Sequence, residues 1–211
     1  RRVFTKDQTL DAEEIVKLHN QINGQSKKSI VMCNRVENAQ QIYSEIEKLV
    51  DKEEPKVILI HSRFLDDDRK DKETQIKKLF KKDNHQSNVI LVSTQVIEVG
   101  IDITSDIMHT EISVIDSFLQ RIGRCARYRN QSGEVYVYDV LNEGEQKYLP
   151  YSEELTLDTF AALQEINGEI LTPKVAQKII DRVYADKDMQ DNEKVDVTSD
   201  DFIMDSWKSP D

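Results

Sequence analysis

Ser93-Thr94-Gln95-Val96-Ile97-Glu98-Val99-Gly100-Ile101-Asp102, then an apolar spacer, then Gln120-Arg121-Ile122-Gly123-Arg124-Cys125-Ala126-Arg127, is the stretch that decides the reading. On a helix at about 100° per residue, Gln120, Arg124 and Arg127 stand at i, i+4 and i+7 and share one face. Phe118, Leu119, Ile122, Cys125 and Ala126 fall on the opposite face. A helix split in this way buries its apolar side and aims two guanidiniums and an amide at one spot. Converging arginine forks suit phosphate. Asp116 stands before the block as a candidate N-cap. The same spacing also fits a solvated basic helix face, so the neighbouring segments have to decide.

Working outward, short apolar runs alternate with amphipathic ones. Ser29 to Cys33, Lys56 to Ile60, Asn88 to Val92, Asp106 to Ile112 and Glu134 to Val140 read as five strands. His109 and Thr110 interrupt the fourth. Leu10 to Ile22 reads as a helix with Ile15, Leu18 and Ile22 on one side, ended by Asn23-Gly24. Asn34, with Glu37 three residues on, reads as the cap of a helix carrying Ala39, Ile42, Ile46, Leu49 and Val50. Asp66 opens another helix ending in Ile76, Leu79 and Phe80. Thr94 to Val99 is a loop or short helical turn. Strands alternating with helices imply an α/β fold, a parallel sheet with helices on both faces. Ligands of such sheets bind outside the carboxyl ends of the strands. Asn34-Arg35, His61-Ser62-Arg63 and Ser93-Thr94-Gln95 sit at those ends.

After Leu141 the pattern changes. Residues 151–166 and 172–184 read as two helices, the second with Pro173 at its first position. The expected division is 1–150 for the sheet domain, 151–185 for a helical extension and 186–211 for an acidic tail. Phe202, Ile203, Met204 and Trp207 in that tail are candidates to dock on a surface.

Composition narrows the class. With 38% hydrophobic and 33% charged residues, the chain is polar but carries clean apolar runs, as a globular domain does. No apolar run is long enough to span a membrane. Cys33 and Cys125 form no disulfide framework, and the four histidines form no metal-ligand pattern with them. Both cysteines read as small buried groups of a reduced, cytoplasmic protein. The net charge of −11 argues against nucleic acid only on the surface. Residues 186–211 hold nine acids against three lysines, whereas Gln120 to Arg129 holds four arginines and no acid. A local basic patch governs phosphate binding more than the total charge does.

Thr94 to Asp102 resembles motif V of superfamily 2 helicases, and Gln120 to Arg127 resembles motif VI, the Q-R-x-G-R-x-x-R pattern. Ile30 to Arg35 resembles motif IV. His61-Ser62-Arg63-Phe64, followed by Arg69 and Glu73, is more particular. With Thr-Gln-Val-Ile-Glu and Gln-Arg-Ile-Gly-Arg it resembles the helicase of type I CRISPR interference. The likeness covers roughly residues 1–150. Gly100-Ile101-Asp102 departs from the Ser often found at this point in the CRISPR helicases.

The resemblance implies two RecA-like domains with ATP in the cleft between them. The chain has no G-x-x-x-x-G-K-[ST] loop to cradle phosphates, so it would be the second RecA-like domain, inactive alone. ATP with Mg2+ would be held mainly by the first. Arg124 and Arg127 would reach the β/γ-phosphates, with Arg127 as arginine finger and Gln120 orienting near the γ-phosphate or the attacking water. Gly100 and Asp102 would lie on the nucleotide side, and Asp102 fits equally an ion pair with one of these arginines. Arg121, turned away from that face, reads as a structural salt bridge. Asn34, Arg35, Ser62, Arg63, Thr94 and Gln95 would take single-stranded DNA by its phosphates. For Asn34 a plain cap fits as well, and His61 reads as a packed or capping ring. Gln95 and Glu98 would couple the two sites, and Tyr128 and Arg129 would extend the basic patch. Implied partners are the first RecA-like domain, an HD nuclease and the CRISPR surveillance complex. Two other readings stand beside this one: a different superfamily 2 helicase acting on DNA or RNA, and a non-enzymatic phosphate-binding module.

Overall fold

Runs of Val and Ile bounded by polar residues become the central strands, because side chains buried on both faces leave no polar positions within them. In the computed structural model, which describes residues 1–51, 54–98, 100–128, 130–141, 144 and 146–185, the strands are β1 (Arg2–Thr9), β2 (Lys27–Met32), β3 (Lys56–Ile60), β4 (Asn88–Ser93), β5 (Ile107–Glu111) and β6 (Glu134–Asp139). They form one sheet in the order β1-β6-β5-β2-β4-β3. Every neighbouring pair is parallel. The helices are α1 (Ala12–Gln21), α2 (Val36–Leu49), α3 (Asp66–Leu79), α4 (Ile115–Ile122), α5 (Glu153–Glu165) and α6 (Pro173–Tyr184).

The strand period of two sorts the core onto two faces. Val31, Cys33, Ile90 and Val92 pack with Ala39, Ile42 and Ile46 of α2 and Ile15 of α1. Ile30, Met32, Val89 and Leu91 pack on the other face with Ile76, Phe118, Leu163 and Ile179 from α3 to α6. The two helices after residue 151 therefore share the apolar cluster of the sheet. Thr172 caps α6 by accepting from Val175 N–H, with Pro173 just inside the helix.

The sheet has six strands where five were expected. The extra one, β1, is the last strand of the sheet: it pairs with β6 on one side, bridges to Ile170 on the other, and of its residues only Val3 is fully buried. Two expected caps are also corrected. Asn34 does not cap α2: Arg35 holds that position, without a side-chain cap. Asp116 lies inside the first turn of α4, where it accepts from Tyr184 Oη at 2.5 Å. The tail 186–211, with Phe202, Ile203, Met204 and Trp207, lies outside the described residues, as do Val99 and Arg129.

Both cysteines are free and buried. Burial pushes the Cys33 thiol well up and the Cys125 thiol up to about 12. Among the described residues no helix is long and apolar enough to cross a membrane.

His109, in the middle of β5, is fully buried between the rings of Tyr136 and Tyr138, with Nδ1 3.0 Å from Tyr138 Oη. Burial, helped by the charges of His19 and Lys6, holds its pKa down to about 3. An unfolded histidine titrates near 6.5, so the unfolded chain takes the proton first. The stability from a neutral His109 is complete above that value and is lost as pH falls toward the folded value. Urea unfolding at pH 7.5 and pH 5 should show a loss at the lower pH of roughly 2 kcal/mol from this group. His109→Phe should shrink the difference; an unchanged pH dependence would refute the assignment.

Candidate functional site

The arginines of the deciding stretch separate into two roles. α4 stops at Ile122, and Gly123 N–H donates back to Leu119 O at 3.1 Å. Residues 124–126 then leave the helix to pair with the segment before β5. Ser105 N–H donates to Arg124 O and Ala126 N–H to Ser105 O, both at 2.9 Å. Ala126 turns the chain at φ +45°. The expected continuous helix through Arg127 is thus corrected: its backbone hydrogen bonds are spent on Ser105 instead. Gly133 makes this pairing possible. A Cβ there would stand 2.7 Å from Cys125 Sγ and 3.0 Å from Asp106 O.

Arg124 and Arg127 nonetheless end on the same surface. Arg124 Nη2 donates to Glu98 O at 2.7 Å. Burial draws the Arg124 pKa below its ordinary value, and the charge of Arg127 adds to that. Arg127 Nε lies 2.9 Å from Asp102 Oδ1, an ion pair without hydrogen-bond alignment. Arg127 N–H donates to Thr104 Oγ1 at 3.1 Å, and Tyr128 Oη donates to Asp102 Oδ2 at 3.2 Å. Both Nε atoms are buried: that of Arg124 lacks an acceptor among the described residues, and that of Arg127 has the misaligned Asp102 carboxylate. Gly100, exposed at φ +84°, turns the chain toward Asp102. Gln120 is half-buried in the last turn of α4.

Arg121 points inward and is fully buried. All five of its N–H groups are used. Nε donates to Glu98 Oε1 at 2.9 Å, and Nη1 to Thr110 Oγ1 and Glu111 O, both at 3.0 Å. Nη2 donates to Asn34 Oδ1 at 2.9 Å and to Tyr151 Oη at 2.8 Å. The expected structural salt bridge is this one, with Glu98. Burial pushes the Glu98 carboxyl up, and Arg121 opposes that shift.

The second group lies where the strands end. Asn34 is buried and its groups turn inward. Its N–H donates to Glu111 Oε2, its amide to Ile112 O, and its side-chain oxygen accepts from Arg121. Gln95 Nε2 donates to Asn34 O at 3.0 Å and to Tyr151 Oη at 3.2 Å. Gln95 belongs to the short 3-10 turn Gln95–Ile97, and Thr94 before it is buried. Arg35 donates to the carbonyls of Gln146 and Leu149. Ser62 is exposed, and so is Arg63, which pairs with Glu37. His61 is a packed ring, stacked on Phe64 with centroids 4.3 Å apart, and its Nδ1 accepts from Arg63 N–H.

Three participants escaped the sequence reading: Thr110, Glu111 and Tyr151. Glu111 is fully buried, and burial pushes its carboxyl up while Asn34, Asn38 and Leu141 donate to it. An acid ending an apolar run was the signal, since a buried carboxylate demands donors. Tyr151 left no local signal. Among the described residues no cluster of His, Cys, Asp and Glu could hold a metal.

The profile of the family described as CRISPR-associated nuclease/helicase Cas3, C-terminal, matches residues 25–130. The chain belongs to the Cas3 family. The Cas3 nuclease/helicase of Methanothermobacter thermautotrophicus is 31% identical over 164 residues, 76% of this chain but 19% of that protein. This chain therefore spans about a fifth of that Cas3 relative's length. Crystalline T. fusca Cas3 with ATP superposes with a TM-score of 0.73 at 23% identity, over 98% of this chain and 26% of that one. A chain of a CRISPR RNA-guided surveillance complex, pre-nicking, gives 0.66 at 23% identity, over 98% and 27%. The two structures show the RecA-like fold of this Cas3 region.

Removing Arg121 would leave Glu98 buried without its counter-charge. Arg121→Leu should cost roughly 3–5 kcal/mol in urea unfolding. Arg121→Lys should recover only part, because three ammonium donors replace a fork of five. A Leu variant with a wild-type midpoint would show that the network contributes nothing net.

Proposed function

We propose that this chain is the second RecA-like motor domain of an ATP-dependent single-stranded DNA helicase acting in CRISPR interference. Residues 1–150 carry the motifs and 151–185 form the helical extension packed on them. The observation that carries the reading is the pair Arg124 and Arg127. Two guanidiniums share one surface: Arg124 has a buried Nε with no acceptor among the described residues, and Arg127 is balanced by an ion pair with the exposed Asp102. That donor set fits a polyphosphate. The ATP-bound T. fusca relative supports the same ligand.

On this reading Arg124 and Arg127 hold the β/γ-phosphates, and Arg127 is the finger that stabilises charge developing on the γ-phosphoryl. Gln120 orients beside it, and Gly100 and Asp102 line the nucleotide side. Bound ATP supplies the phosphoanhydride whose cleavage drives the motor, and Mg2+ is held with it by the first RecA-like domain. Ser62 and Arg63 are the exposed contacts for DNA phosphates at the strand ends. Asn34, Arg35, Thr94 and Gln95 build that edge beside them. Such contacts read no bases, as translocation requires. Partners are the first RecA-like domain, an HD nuclease and the CRISPR surveillance complex, in keeping with the superposition on a surveillance-complex chain.

ATP hydrolysis by the full-length parent chain, with and without single-stranded DNA, tests this. Stimulation by DNA is expected, with Arg127→Ala lowering kcat by roughly a thousandfold. Residues 1–211 alone should show no activity. An unimpaired Arg127→Ala protein would refute the finger assignment, and stimulation by RNA but not DNA would refute the substrate.

A further inference from the structure

The segment 146–151 crosses the carboxyl edge of the sheet and is tied down at several points. Arg35 donates to the carbonyls of Gln146 and Leu149. Tyr148 is buried and belongs to the core cluster. Lys147 pairs with Asp139 at 2.6 Å. The segment ends at Tyr151, just before Ser152 caps α5.

Tyr151 closes a ring of four hydrogen bonds. Its hydroxyl accepts from Arg121 Nη2 at 2.8 Å and from Gln95 Nε2 at 3.2 Å. The same Arg121 Nη2 reaches Asn34 Oδ1 at 2.9 Å, and the same Gln95 amide reaches Asn34 O at 3.0 Å. The four members come from four elements: the end of β2, the turn after β4, α4 and the segment before α5. The Arg121 guanidinium also lies 5.6 Å from the centroid of the Tyr151 ring.

We infer that Tyr151 is a positioning residue, whose hydroxyl fixes the turn at Gln95 against Arg121 so that the strand-end edge and the Arg124/Arg127 surface move as one body. The inference rests on the function proposed above. The direction of the linkage is on the page. Glu98 follows the Gln95 turn, its N–H donating to Gln95 O at 3.0 Å. Its carboxylate holds Arg121 and its carbonyl holds Arg124. A shift of Gln95 is therefore transmitted to Arg124 through a single residue. Removal of the hydroxyl leaves one buried N–H of Arg121 and one of Gln95 short of an acceptor, with the ring still in place.

Tyr151→Phe in the full-length parent chain is the test, beside wild type and Arg127→Ala. Basal ATP hydrolysis should stay near wild type, while the stimulation by single-stranded DNA falls by at least roughly three- to tenfold, the range of one hydrogen bond where two are lost. Hydrogen exchange should quicken at the backbone of 95–98 and leave β2 and β4 unchanged. If Tyr151→Phe is stimulated like wild type, or basal and stimulated rates fall together, or exchange at 95–98 does not move, the inference fails. Those outcomes are distinct from failure of the proposed function. That failure would show as a wild-type chain without DNA stimulation or an unimpaired Arg127→Ala.

Discussion

The edge of this domain depends on Arg121, a guanidinium with no access to water. A buried charge is tolerated only when it is paired and its remaining donors are satisfied. Here the acceptors come from Glu98, Thr110, Glu111, Asn34 and Tyr151. These belong to four separate stretches of chain: the end of β2, the turn after β4, the end of β5 and the segment before α5. None can be displaced without leaving part of the fork unsatisfied. The same low-dielectric setting that makes a missing partner costly makes the completed network specific. The loops at the strand ends, normally the mobile part of such a fold, are therefore drawn onto a common centre.

Within a few residues the chain then spends its other arginines differently. Gly123 ends α4, and the pairing of residues 124–126 with Ser105 turns the backbone outward. Arg121 is left inside while Arg124 and Arg127 come to the surface. Asp102 and Thr104 are supplied by the segment leading into β5, so the surface pair is built from both halves of the deciding stretch. An acidic protein thus presents a basic patch because its charges are segregated, whatever their total.

The parallel sheet was legible because its inner strands are continuous apolar runs, and the two late helices because each carries its own periodicity and Pro173 marks a start. β1 was not legible: the last strand of the sheet, with only Val3 fully buried, carries too few apolar residues to stand out. The cap assigned to Asn34 failed for a different reason. Its amide serves as well for a buried guanidinium as for a helix end, and the competing partner, Arg121, lies far along the chain. The helix drawn through Arg127 ignored Gly123, a residue that weakens helical continuity. Arg121 and His61 were read correctly because angular position on a helix, and a ring beside Phe64, are local facts. The role of Tyr151 has no local trace, since it arises only when the chain returns over the sheet after β6.

The arginine surface joins the chain before β5, at Ser105, whereas Asn34 and Gln95 lie beyond the far ends of β2 and β4. A linkage between the two groups needs one residue held by both. Glu98 meets the requirement: its carboxylate grips Arg121 at the interior and its carbonyl grips Arg124 at the surface. Both grips belong to one residue, which closes the 3-10 turn Gln95–Ile97, so a movement of one bears on the other. The buried salt bridge is thus more than a stabilising contact, since it sets the position from which the surface arginine is held.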